Sequence, residues 1–168
     1  MSYSIHNTEG LIISFRPLRE ADRVYSILTR DLGLIRATAI GVRKDASKLR
    51  GSLEPLTLSA ISLVRGKEYW RITSAEVIQE IKSEPAVLRP LILLEKLVQG
   101  ESAHPEIFDA VKEMILSRKP EDEMFEVRFV ATILFHLGYL NREDLTLPKP
   151  ELIKAINNGL DASHLTTS

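Results

Sequence analysis

Hydrophobic and polar residues follow two different patterns along this chain, and the change falls near Ser83. Before it, apolar residues come in short runs or alternate with polar ones, and turn residues separate the runs. Leu11–Phe15 is an apolar run closed by Arg16-Pro17. Val24–Thr29 mixes β-branched and aromatic residues and stops at Asp31-Leu32-Gly33. Leu34–Val42 alternates, with Ile35, Ala37 and Ala39 on one face and Arg36 and Thr38 on the other. Leu56–Val64 ends at Arg65-Gly66-Lys67. Tyr69–Ile81 carries Trp70 and Ile72 on one parity and Val77 and Ile81 on the other, which a bulge near Ser74-Ala75 would reconcile. Gly10, Gly33, Gly41, Gly51 and Gly66 punctuate these segments as turns and tight bends. Five short strands with turns between them predict a sandwich or a barrel. Closure would remove exposed edges, and five strands suffice for an OB-fold.

After Ser83 the period becomes helical. Glu84-Pro85 marks the change, because the residue before proline avoids the helical region. The first helix is predicted over Ala86–Val98, with Pro90 kinking it or marking its true first turn. His104-Pro105 opens the second, carried by Ile107, Phe108, Val111, Met114 and Ile115. The third follows Pro120, with Glu121, Asp122 and Glu123 set against the helix dipole, and runs through Phe125, Phe129, Ile133 and Leu134 to Gly138. Pro150 opens a fourth, ended by Asn158-Gly159. The tail Ala162–Ser168 is expected to fray. The fold class is therefore α+β. Residues 1–81 are read as a five-stranded OB-fold barrel and residues 82–168 as an all-α helical domain.

Composition narrows the class. Hydrophobic residues make up 44% of the 168 residues, enough for a packed core. No Cys is present, which removes disulfides, Cys-based zinc sites and thiol nucleophiles. No apolar run approaches the ~20 residues of a membrane helix. The start, Met1–His6, has neither the basic nor the apolar part of a signal peptide. A cytoplasmic protein without membrane contact is expected.

The net charge of −1 conceals an asymmetry. Residues 1–80 hold 12 Lys+Arg against 9 Asp+Glu, giving +3, and residues 81–168 hold 10 against 14, giving −4. A basic half joined to an acidic one implies that the first half meets a polyanion. The densest basic stretch is Arg36, Arg43, Lys44, Lys48 and Arg50, diluted only by Asp45, on a strand and the loop after it. It is suited to phosphate contact, though a solvated basic loop has the same composition. Arg16, Arg19 and Arg23 either extend the stripe or pair locally with Glu20 and Asp22. Tyr69-Trp70-Arg71 joins rings to a guanidinium, as single-strand platforms do. As the only Trp, Trp70 is read as core. Tyr69 and Arg71, on the opposite parity, are the exposed candidates.

Catalytic signals are lacking. His6, His104, His136 and His164 have no zinc-ligand spacing. No phosphate-binding glycine loop or nucleophile elbow occurs. Glu121–Glu123 fits a helix N-terminus better than a magnesium site. No enzyme activity, metal or cofactor is expected.

The first half resembles the N-terminal domain of the RecO family of bacterial recombination mediators. The matching stretches are Thr8-Glu9-Gly10-Leu11-Ile12, Arg16-Pro17-Leu18-Arg19-Glu20-Ala21-Asp22-Arg23-Val24 and Leu28-Thr29-Arg30-Asp31-Leu32-Gly33-Leu34-Ile35. Ala37-Thr38-Ala39-Ile40-Gly41-Val42-Arg43 and Lys48-Leu49-Arg50-Gly51-Ser52-Leu53-Glu54-Pro55 follow in the family's order. The likeness is good over residues 5–80 and looser through the helices to Leu137-Gly138-Tyr139. It implies an OB-fold that binds single- and double-stranded DNA and anneals complementary strands. It implies RecR as a partner in loading recombinase, and an apolar pocket in the helical part for the C-terminal tail of single-stranded DNA-binding protein. Many members carry a four-Cys zinc module after the stretch matching Leu137–Tyr139. Here Asn141-Arg142-Glu143-Asp144 follows instead, so zinc is not expected. The chain is short for the family, with its last helices expected to be absent.

Two readings of function follow. In one, a basic barrel face screens the repulsion between two strands and lets them anneal during DNA repair and recombination. In the other, the barrel is the scaffold of a protein–protein adaptor whose acidic helical half recruits partners.

Overall fold

A computed structural model describes residues 2–98 and 100–163 of the chain. His164, and the tail beyond it that was expected to fray, lie outside the described residues. Two compact units emerge, Met1–Ser83 with Gln99–Phe108, and Glu84–Val98 with Asp109–Ser168.

The first unit is built on five strands, β1 (Ile5–Pro17), β2 (Arg23–Thr29), β3 (Gly33–Ala39), β4 (Thr57–Arg65) and β5 (Trp70–Glu80). They close into a barrel in the order β1-β2-β3-β5-β4. That is the OB-fold order, and closure leaves the sheet no free edge. Strand β1 is longer than the apolar run alone suggested, because it pairs with β2 at one end and β4 at the other. Its register slips between Ile12 and Ser14, leaving Ile13 as a bulge. The barrel closes through a short parallel seam, Ala37 beside Trp70 and Thr38 beside Arg71.

Inward parity matches the alternation in the sequence. Ile12, Tyr25, Ile27, Ile35, Ala37, Ala39, Ile61, Leu63, Trp70 and Ile72 form one buried cluster. In β5 the bulge lies at Thr73, just before the expected place, since Ser62 pairs Ser74 while Leu63 pairs Ile72. This moves Ala75 onto the face of Trp70 and packs it on the core. A second slip skips Ile78, and Val77 stays 39% exposed. The expected inward position of Val77 is thus corrected. Strand β3 also stops earlier than predicted, at Ala39. Gly41 turns the chain at positive φ, leaving Ile40 exposed and Val42 buried.

Tyr25 fills the barrel, fully buried, and its hydroxyl has no hydrogen-bond partner. Burial pushes the phenol's pKa above its ordinary value, with the Arg23 guanidinium pulling the other way without a bonding geometry. The fold therefore favours the neutral phenol. That contribution is whole below the unfolded-chain pKa of about 10 and is lost as pH rises through the higher folded value. Tyr25→Phe keeps the ring and drops the unpaired hydroxyl. Its urea midpoint at neutral pH is expected to equal or exceed that of the parent. Its stability should also fall less above pH 10, as urea titrations across that range would show.

The second unit contains α1 (Pro85–Leu97), most of α2 (Pro105–Leu116), α3 (Phe125–His136) and α4 (Lys149–Ala162). Helix α1 begins at Pro85 and continues through Pro90, which forgoes one helical hydrogen bond and is buried. Glu121–Glu123 do not form the first turn of α3, as predicted, but precede it. Asp122 accepts from the Met124 N–H and pairs with Arg128. Helix α4 does not end at Asn158-Gly159 but runs on to Ala162. Gly159 is there for packing: a Cβ would lie 3.2 Å from the Tyr139 carbonyl oxygen. Helix α3 packs on α1 and α4 around Ala131, Leu134, Leu140, Leu152 and Ile156. Arg89 forks onto Glu126 at 2.7 and 2.8 Å, which raises the guanidinium's pKa further. Asn141 and Asp144 form a reciprocal capping box on a short 3-10 turn, Arg142–Thr146, where zinc-bearing relatives were expected to diverge. No helix among the described residues is long and apolar enough to cross a membrane.

Candidate nucleic-acid interface

Two loops rise at the closed seam of the barrel, residues 18–22 between β1 and β2, and residues 66–69 between β4 and β5. Between them lies a cavity of about 390 Å³ lined by Leu18, Arg19, Asp22, Thr38, Ile40, Gly66, Lys67, Glu68, Tyr69 and Arg71. In OB-folds these loops, with strands 2 and 3, form the usual oligonucleotide surface.

Each cation is placed by a local cause. Register sets Arg71 beside Thr38 on the outer face, while Trp70 points inward. Tyr69 is half-buried, and its hydroxyl accepts a hydrogen bond from Arg16 Nη2 at 3.0 Å. Gly66 makes the tight turn possible, because a Cβ there would meet the Tyr69 carbonyl oxygen at 2.2 Å. That turn puts Lys67 at the groove. Asp22 is buried and pinned, accepting from the Gly41 N–H at 2.7 Å with Arg19 at 3.8 Å. Its carboxylate is thereby partly neutralised, and the lining holds Arg19, Lys67 and Arg71 against Asp22 and Glu68.

The basic loop between β3 and β4 is not a free tether. Val42, Leu49 and Leu53 pack into or against the barrel core, with Arg43, Lys44 and Lys48 exposed between these anchors. The Arg43 N–H donates to the Ala21 carbonyl, joining this loop to the β1–β2 loop beside the groove. Arg50 turns back toward the Arg43 carbonyl at 3.5 Å. Arg36 is exposed on β3 two residues before Thr38. Arg23 is differently committed, 4.0 Å over the Phe15 ring and 4.0 Å from Glu54.

The structure therefore brings Arg19, Tyr69 and Arg71 together, with Arg16 on Tyr69 and the start of the basic loop alongside. Of the three arginines in and after β1, Arg19 makes the local pair with Asp22 that the neighbouring acids suggested, whereas the pair Arg23 makes is with Glu54, 31 positions away. Sequence reasoning missed Lys67 and Thr38. The signal for Lys67 was the Arg65-Gly66-Lys67 turn, which reads as punctuation until the β1–β2 loop is seen opposite it. Among the described residues, no group of three or more His, Cys, Asp or Glu side chains could hold a metal ion.

The chain is thus an OB-fold barrel, with a cationic groove between two of its loops, accompanied by a helical unit. Residues 1–81 match the family model described as Recombination protein O N terminal. A DNA repair protein RecO from Dehalococcoides mccartyi strain BAV1 is 49% identical over 72 residues, 43% of this chain and 28% of that protein. One from a Synechococcus species is 32% identical over 151 residues, 88% of this chain and 51% of that protein. One from Dehalococcoides mccartyi strain 195 is 32% identical over 157 residues, 89% of this chain and 59% of that protein. Residues 1–81 belong to the RecO N-terminal family, and the chain is related to RecO proteins along most of its length. It spans between 28% and 59% of the length of these three relatives.

Proposed function

We propose that this chain binds single-stranded DNA through the groove between the β1–β2 and β4–β5 loops and the basic β3–β4 loop beside it. It then serves DNA repair and homologous recombination by annealing complementary strands. The observation that carries the reading is the convergence of Arg19, Lys67, Arg71 and Tyr69 on one cavity at the OB-fold's usual oligonucleotide surface. Phosphates neutralised there and along Arg36, Arg43, Lys44, Lys48 and Arg50 would reduce the repulsion between two strands. Duplex DNA is a second ligand of the same basic surface. Kinship with proteins named DNA repair protein RecO supports the pathway. The family resemblance alone supports RecR as a partner, and the tail of single-stranded DNA-binding protein as a ligand of the helical unit. No catalytic step is part of the proposal.

A salt-titrated binding and annealing assay tests it, run with and without single-stranded DNA-binding protein. Affinity should fall linearly on logarithmic axes, by about 0.7 in slope for each phosphate contacted on a single strand. Lys44→Glu, Lys48→Glu and Arg50→Glu together should flatten that slope and slow annealing. If single-stranded DNA is not bound at low salt, or the triple variant binds as the parent does, the mechanism is wrong.

A further inference from the structure

A second cavity, of about 580 Å³, is lined by Tyr3, Val64, Arg65, Gly66, Lys67 and Arg71. The two cavities share Gly66, Lys67 and Arg71, so they are contiguous around one short loop. Arg65, which lines this cavity, and Trp70 direct two donors at one anionic atom. Glu101 Oε2 accepts from Arg65 Nη1 at 2.7 Å and from Trp70 Nε1 at 3.2 Å. The guanidinium also stands 4.9 Å from the centre of the Trp70 ring. A charged fork and an indole N–H aimed at a single oxygen form an anion site, occupied here by the chain's own carboxylate. Glu101 belongs to an irregular stretch between α1 and α2, and its pair with the half-exposed Arg65 is a surface ion pair of small strength. Tyr3, 68% exposed, lines the same cavity as Arg65 and offers a ring face there.

We propose that the single-strand track continues around the β4–β5 loop to a second phosphate subsite at Arg65, which Glu101 holds in the free protein and yields to the incoming strand. Tyr3 stacks a base next to that phosphate. This extension rests on the groove reading above. It makes Glu101 an internal competitor: short strands that fill only the first groove do not meet it, whereas longer ones displace it.

Fluorescence anisotropy with oligothymidylates of about 5 and about 15 nucleotides, within the span of OB-fold site sizes, separates the two regions. Tyr3→Ala with Arg65→Gln should weaken the long oligomer roughly tenfold and leave the short one unchanged. The salt slope for the long oligomer should flatten by about 0.7. Glu101→Gln keeps an acceptor for the Trp70 N–H while removing the charge. It should tighten the long oligomer about two- to fivefold, a gain that misfolding does not produce. Equal effects on both lengths, no effect of the double variant, or an unchanged long-oligomer affinity in Glu101→Gln would each overturn the subsite. Absence of short-oligomer binding by the unaltered chain would instead bring down the groove itself, and the extension with it.

Discussion

Reversing three charges in the groove, with Arg19→Glu, Lys67→Glu and Arg71→Glu in one chain, is expected to lower affinity for single-stranded DNA by roughly three decades or more at low salt. The three side chains come from two loops and the start of β5, and they meet only at the cavity between the loops. Each lost charge-assisted contact is worth about 1.5 kcal/mol or more, and the new carboxylates add repulsion. The salt dependence should flatten by about 2 in slope, three contacts at about 0.7 each. All three side chains are exposed, so the loss in thermal midpoint should be confined to the like-charge contact that Arg19→Glu makes with buried Asp22. A filter-binding titration at several salt concentrations, with circular dichroism as the folding control, reads both. Affinity within a factor of about three of the parent would place the binding surface elsewhere. The Lys44, Lys48 and Arg50 reversal then shows whether the β3–β4 loop carries it.

Trp70→Ala is expected to destabilise the barrel by about 3–5 kcal/mol, the cost of emptying a large ring from a packed core. Trp70 is only 6% exposed and sits in the cluster with Ile35, Ala37, Leu63 and Ile72. His6 meets its ring edge-on at 5.1 Å between centroids. Trp70 also begins the parallel seam with β3, where closure rests on two residue pairs. Removing the ring therefore loosens the barrel where it has the fewest strand-to-strand bonds to spare. Trp70→Phe should recover most of the loss, because it keeps an aromatic ring and gives up a single hydrogen bond to a partly exposed carboxylate. Urea denaturation followed by far-ultraviolet circular dichroism would measure both variants. A Trp70→Ala chain as stable as the parent would mean that the ring is a surface platform after all.

Strand and helix regions were readable in the sequence because each buries one face, and burial writes a period into the residues. Ile35, Ala37 and Ala39 point inward as their alternation required, and Arg36 points out. Errors fell where a local rule competes with packing. Asn158-Gly159 reads as a helix stop, but Gly159 lets α4 approach the Tyr139 backbone, and the helix runs through it. Glu121–Glu123 read as a first turn, yet Asp122 caps the chain just ahead of the helix. The bulge in β5 was inferred from a parity conflict, but its position depends on the pairing with β4, which one strand's residues do not contain.

The basic stretch from Arg36 to Arg50 needed no structure to be noticed, because charge density is a property of neighbouring residues. The same is true of the two-part α+β plan and of the inward Trp70, since periodicity and hydrophobicity are local. Tertiary structure alone decided that Arg19, Lys67 and Arg71, up to 52 positions apart in the chain, share one groove. It also decided that Arg23 turns away to Phe15 and Glu54, and that Glu101 reaches Arg65 and Trp70. The reason is physical. Local propensity sets which way each side chain points along its own strand or helix. Which side chains then meet is set by strand order and register, and those come from the closure of the whole barrel.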